Sequence, residues 1–286
     1  MSTASTKVYG PSALGGDARR FWELTITLAR AEFKLRYFGS VLGYLWSLMR
    51  PLLFFGVLYL FFTKILDVGA GIPHYGVYLL TAIVLWNYFG EATGNAVTSL
   101  VAREALLRKI RFPRMVIPLS VSLTATFNLG MNMIAVFVFA IANGVDPRLK
   151  WLELIPIALA FIVFATGIGM LLSAAYVRYR DVAPIWEVLS QAWFYSSPIM
   201  YTAARYAEPK AIARFGHGLV HVAMMNPAAM LMTQMGHAVI GGPHYESANT
   251  IGSTNSLIVA CTIIIVMSAL GWWFFTREAP RVAENL

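Results

Sequence analysis

Asn87, Glu91, Asn95 and Thr98 recur at steps of four, four and three residues. Ser120, Thr124, Asn128 and Asn132 repeat at steps of four, and Glu187, Ser190, Phe194, Ser197 and Tyr201 at three, four, three and four. Such steps put side chains on one face of a helix, so each set is a polar stripe. All three stripes interrupt long apolar runs, and two of them carry a carboxylate. Two readings fit. The stripes line a polar path, or their amides and hydroxyls bond neighbouring helices. Arg50 also stands inside an apolar run, where a guanidinium either holds an anion or snorkels to the headgroups.

Catalytic chemistry is hard to build from this chain. Gly10 and Gly15 have the spacing of a phosphate loop, but Gly16 and Asp17 stand where Lys and Ser or Thr must be. His217 and His221 are four apart, as two zinc ligands on a helix would be, with His237 and His244 nearby. They lack the glutamate of a HExxH pattern and a third ligand at fixed spacing. The single cysteine, Cys261, excludes a disulfide framework and a thiolate metal cluster. The reading is a chain that is not an enzyme and holds no cofactor or metal of its own.

The elements that carry the stripes follow from composition. Of 286 residues, 58% are apolar and only 13% charged, against roughly 45–50% and about 25% in soluble domains. With a mean hydropathy of +0.63, the bilayer is the natural solvent. Apolar spans are expected at about 41–66, 77–97, 116–142, 152–176, 184–201 and 256–275, giving an all-α membrane protein with six transmembrane helices. Spans four and six lack a polar stripe and read as lipid-facing. Residues 1–18 read as a disordered cytosolic arm, and 19–40 as an amphipathic interfacial helix with Phe21, Leu24, Leu28, Leu35 and Phe38 on one side. The transmembrane domain then covers 41–276, and 277–286 form a cytosolic tail.

Fifteen of the 22 Lys and Arg residues fall on the side of the arm, the 98–115 and 177–183 loops and the tail, and six on the other. That bias puts both termini in the cytosol, and topology rather than nucleic acid accounts for the net charge of +8. Between spans five and six, residues 205–240 contain two short apolar stretches parted by Asn226-Pro227. They suit outer re-entrant half-helices better than a surface loop. Gly90 and Gly94 form a small-xxx-small pair that suggests a helix or subunit contact.

Five motifs in order carry a family likeness: RYFGSVLGYLW at 36–46, LLRKIRFPR at 106–114, YRD at 179–181, YSSPIMY at 195–201 and Asn226-Pro227. With them the chain resembles the ABC-2 type permeases that export polysaccharides such as O-antigen, teichoic acid and galactan, over about residues 20–276. The resemblance implies a homodimer in the bacterial plasma membrane, bound to two copies of a nucleotide-binding ATPase subunit that holds the ATP and Mg. It implies ATPase docking through Arg103, Glu104, Leu107, Arg108 and Lys109 and through Arg178, Arg180 and Asp181. A lipid-pyrophosphate-linked polysaccharide is expected to enter beside Arg36, Tyr37 and Arg50, since guanidinium binds phosphate oxygens bidentately. The channel-lining set is then Asn87, Glu91, Asn95, Asn128, Asn132, Glu187, Ser190, Phe194, Ser197 and Tyr201. Within the same class the competing reading is an exporter of a drug or small lipid. An ion-coupled carrier would need two similar halves, and none is visible.

Overall fold

The computed structural model describes residues 18–38, 43, 45–69, 71–109, 112–207 and 218–279, and among them every regular element is helical. Most of the expected arm, residues 208–217 with His217, and 280–286 of the tail lie outside the described residues. Helix α1 is Ala18–Tyr37, and α2 is Leu45–Leu60, continued by a π-helical turn, Phe61–Ile65. Next come α3 (Tyr75–Ala102), the short α4 (Glu104–Lys109) and α5 (Val116–Ala142). A 3-10 turn, Leu149–Glu153, leads into α6 (Leu154–Arg178), followed by α7 (Val182–Ser196). Two short helices, α8 (Gly218–Met225) and α9 (Pro227–Val239), precede α10 (Thr254–Glu278).

Four segments are both long and apolar enough to cross a membrane: Leu45–Ile65, Val116–Ala142, Leu149–Arg178 and Thr254–Glu278. The other two expected spans differ for separate physical reasons. Helix α3 has ample length at 28 residues, but Asn87, Glu91 and Asn95 dilute its apolar character. It is surrounded by α2, α5, α6 and α7, and bears the fully buried Tyr78, Tyr88 and Phe89. Helix α7 has only 15 residues, fewer than the roughly 20 a crossing needs. It stops because Pro198 drives Ser197 into extended backbone, with φ −98° and ψ 149°.

The fourth and sixth apolar helices are each covered by protein on one face and bare on the other. Helix α6 buries Phe161, Phe164, Ala165, Gly167 and Ile168 against α3 and α10, and exposes Ile155, Leu159 and Val163 on its other face. Helix α10 exposes Ile258, Ile265, Leu270 and Trp273. In a bilayer an apolar side chain is at home against lipid or protein, so the absence of a polar stripe does not tell the two apart. Where α6 meets α10, a Cβ on Gly271 would lie 1.9 Å from the Gly167 carbonyl oxygen, and one on Gly167 would lie 2.5 Å from Ser268 Cα. Only glycine at both positions allows this approach. By contrast, nothing lies within 4 Å of a Cβ on Gly90 or Gly94, so that pair makes no helix contact within the described chain.

Helix α1 lays Phe21, Thr25 and Ala29 onto protein, with Leu24 and Leu28 beside Leu100, Met115 and Phe275. Leu35 and Phe38, on the same expected stripe, are exposed. On the opposite end, α9 buries 11 of its 13 residues, which no surface loop would do. Asn226 caps α9 by accepting from Ala228 N, with Pro227 in the first turn where its missing N–H is harmless.

Gly271→Ala is expected to lower the thermal midpoint of the detergent-solubilised chain, by overpacking of about 1–3 kcal/mol. Gly130→Ala, which meets nothing within 4 Å, should not lower it. Equal midpoints for the two variants would contradict the close crossing.

Candidate functional site

A cavity of about 710 Å3 opens where the end of α1 and the first turns of α2 meet the middle of α3 and α5. That is within the roughly 300–1,000 Å3 usual for ligand sites. Each element delivers polar groups for a local reason. The steps of four along α3 point Asn87, Glu91 and Asn95 to one side, and those along α5 do the same for Asn128 and Asn132. Helix α1 contributes Arg36 and Tyr37 from its last turn, and α2 contributes Ser47 and Arg50. Gly90, without a side chain, leaves room in the wall rather than making a helix contact.

One hydrogen-bonded chain runs through this wall. Arg36 pairs with the Glu91 carboxylate, and Asn128 Nδ2 donates to the same Oε1 at 2.7 Å. Tyr37 donates its hydroxyl proton to Asn128 Oδ1 at 3.0 Å, and Asn132 Nδ2 donates to the Asn128 carbonyl at 2.8 Å. Arg50 lines the cavity and makes no ion pair with any described residue. With two guanidiniums and one carboxylate, the lining carries a formal surplus of one positive charge. It offers amide donors, a phenol and guanidinium forks. That lining suits binding of an anionic, hydroxylated molecule.

The structure therefore brings eight expected residues into one wall: Arg36, Tyr37, Arg50, Asn87, Glu91, Asn95, Asn128 and Asn132. The five from 187 to 201 lie elsewhere. Glu187 is exposed, and the Ser190 hydroxyl donates back to the Glu187 carbonyl at 3.0 Å. Phe194 packs on Trp86 and Phe54, with ring centroids 5.7 and 6.3 Å apart. Ser197 accepts from Asn226 Nδ2 at 3.1 Å, while Trp193 Nε1 donates to Asn226 Oδ1 at 2.8 Å. Asn226 thus pins the end of α7 to the start of α9. Tyr201 shares a 2.8 Å hydrogen bond with Tyr206, whose hydroxyl is pushed above its ordinary pKa by burial.

Of the expected docking residues, Arg103 pairs with Glu32 of α1, and both side chains are 21% exposed. Burial lowers the Arg103 pKa from its ordinary value. Glu104 begins α4, and Leu107 packs against the Phe21 and Met115 cluster. The side chains of Arg108 and Lys109 lie outside the described residues. Arg178 and Arg180 are exposed and sit 5.3 and 5.1 Å from the centroids of the Tyr179 and Tyr176 rings, and Asp181 is exposed beside them. Glu32 escapes a reading of the sequence. Its signal is an acid set among Arg30, Lys34 and Arg36 in the second half of a basic helix. Among the described residues no three of His, Cys, Asp and Glu gather in a way that would hold a metal ion.

A model of the ABC-2 type transporter family matches residues 23–215. The chain is 32% identical over 267 residues, covering 93% of it and 95% of the relative, to the O-antigen export system permease protein RfbA of Klebsiella pneumoniae. It is 29% identical over 210 residues, 73% of it and 77% of the relative, to the protein of the same name from Myxococcus xanthus.

The Glu32–Arg103 pair generates a prediction. Glu32→Arg and Arg103→Glu should each lower the thermal midpoint, and the double variant should recover part of the loss, a coupling of roughly 1–3 kcal/mol. Additive losses would show that the two side chains do not interact.

Proposed function

We propose that this chain, which belongs to the ABC-2 type transporter family, is the permease of an exporter that moves a polyprenyl-diphosphate-linked polysaccharide of the O-antigen class across the bacterial inner membrane. It is a multi-pass transport subunit without a catalytic domain, and ATP hydrolysis belongs to a separate ATPase subunit. The observation that carries the reading is the cavity beside the end of α1. Guanidiniums of Arg36 and Arg50 suit a diphosphate, and the amides of Asn87, Asn95, Asn128 and Asn132 suit hydroxyl groups of sugars.

In this reading six helices cross the membrane. The less apolar α3 crosses inside a sleeve of the others, and α7 crosses with the extended turn that follows it. Helices α8 and α9 dip back from the outer side as half-helices and shape the exit, and both termini are cytosolic. A second copy covers α7. That helix has no buried residue and exposes Glu187 and Gln191 among Ile185, Val188 and Leu189. A carboxylate left against lipid would cost a few kcal/mol, on the order of 3. Two ATPase subunits dock on α4 and on the Arg178, Arg180 and Asp181 turn, so a push on α4 reaches α1 through Arg103 and Glu32.

Depleting the protein in its host and profiling membrane saccharides tests this reading. A polyprenyl-linked glycan should accumulate on the cytosolic face, and its sugars would name the cargo. An unchanged glycan profile together with reduced efflux of a drug or small lipid would overturn polysaccharide export.

A further inference from the structure

Arg36 and Arg50 reach the same cavity in different states. Arg36 is already paired: Glu91 Oε1 receives both its guanidinium and Asn128 Nδ2, the latter at 2.7 Å. Arg50 makes no ion pair among the described residues. The Arg36 and Glu91 side chains remain 37% and 23% exposed, so a ligand in the cavity can reach both. We propose that Glu91 is a specificity residue, an internal counter-anion that a diphosphate displaces from Arg36 and a singly charged phosphodiester does not. The proposal rests on the diphosphate-linked substrate of the preceding section.

The physical argument is a competition for one guanidinium fork. A carboxylate held in place by Asn128 is a strong local competitor, because it is tethered and bears a full charge. A phospholipid phosphodiester also bears one charge and must give up headgroup hydration to enter, so it gains nothing by exchange. A diphosphate carries more charge and more acceptor oxygens. It engages Arg50 first and has a second phosphoryl group left for Arg36. Glu91 is not orphaned when it lets go, since Asn128 still donates to it. Bulk phospholipid surrounds the cavity in great excess, so discrimination against it requires a repulsive element as well as an attractive one. Among the described residues Glu91 is the only carboxylate lining this cavity, and it supplies that element.

The test uses the full-length chain in nanodiscs and a fluorescent short-chain prenyl diphosphate, in neutral phosphatidylcholine and with phosphatidylglycerol added. The wild type should bind the probe, and phosphatidylglycerol should hardly compete. Glu91→Gln, which keeps an acceptor for Asn128 but removes the charge, should tighten probe binding about five-fold and make it sensitive to phosphatidylglycerol. Asn128→Ala, which loosens Glu91 without removing either charge, should shift affinity in the same direction and guards against poor folding of the first variant. Arg50→Gln should weaken binding. If the probe binds and Arg50→Gln weakens it, while Glu91→Gln and Asn128→Ala leave affinity and lipid sensitivity unchanged, the role of Glu91 is overturned and the diphosphate reading stands. If the folded wild type binds no prenyl diphosphate, the substrate reading falls and this inference with it. Equal competition by phosphatidylglycerol in the wild type assigns the cavity to lipid headgroups and overturns the proposal.

Discussion

A carboxylate near the middle of a helix enclosed by four others needs polar partners where it stands, and much of the architecture around Glu91 follows from that requirement. One partner is Arg36, carried there on the last turn of α1. Helix α1 lies along α5, with Phe21, Thr25 and Ala29 buried. Thr124 supports the placement by donating to the Ala29 carbonyl at 3.2 Å. The polar wall of the cavity and the N-terminal helix thus meet in one charge pairing. A second pairing, Glu32 with Arg103, fastens the middle of the same helix to the end of α3.

The opposite end of the bundle is joined by hydrogen bonds rather than by an ion pair among the described residues. Asn226 accepts from Trp193 and from its own helix start, and donates to Ser197, so three elements meet on one amide. Gln234 donates to Glu153 at 2.9 Å and Trp151 donates to the Val239 carbonyl at 3.0 Å, closing α9 against the turn before α6. Tyr245 donates to the Pro73 carbonyl at 2.9 Å, and burial raises the pKa of its hydroxyl. The α1 side is thus held by ion pairs and the other end by hydrogen bonds.

Much of this arrangement was legible in the amino-acid sequence. Periodicity placed Asn87, Glu91, Asn95, Asn128 and Asn132 on facing helices, because a polar residue in an apolar run has few reasons to be there. The apolar runs located the helices, and Asn226-Pro227 marked a helix start. What could not be read depends on distance rather than pattern. Nothing in α6 announces that Gly167 rests against Gly271, since a glycine in an apolar helix looks the same whether or not another backbone touches it. The pairing of Glu32 with Arg103 spans 71 residues and has no period to betray it. The α7 stripe and the α3 stripe both keep helical spacing, yet only the latter faces this cavity, because rotation about a helix axis is set by packing partners and not by the repeat.

The central claim is that the cavity between α1, α2, α3 and α5 receives the lipid-linked glycan. The most direct measurement places a photoreactive amino acid at Asn132 in growing cells and at Leu270, on the exposed side of α10, as the comparison. The account predicts an adduct at Asn132 that carries a polyprenyl diphosphate and sugar, and only phospholipid adducts at Leu270. Phospholipid alone at both positions, in cells that continue to export the glycan, would contradict it.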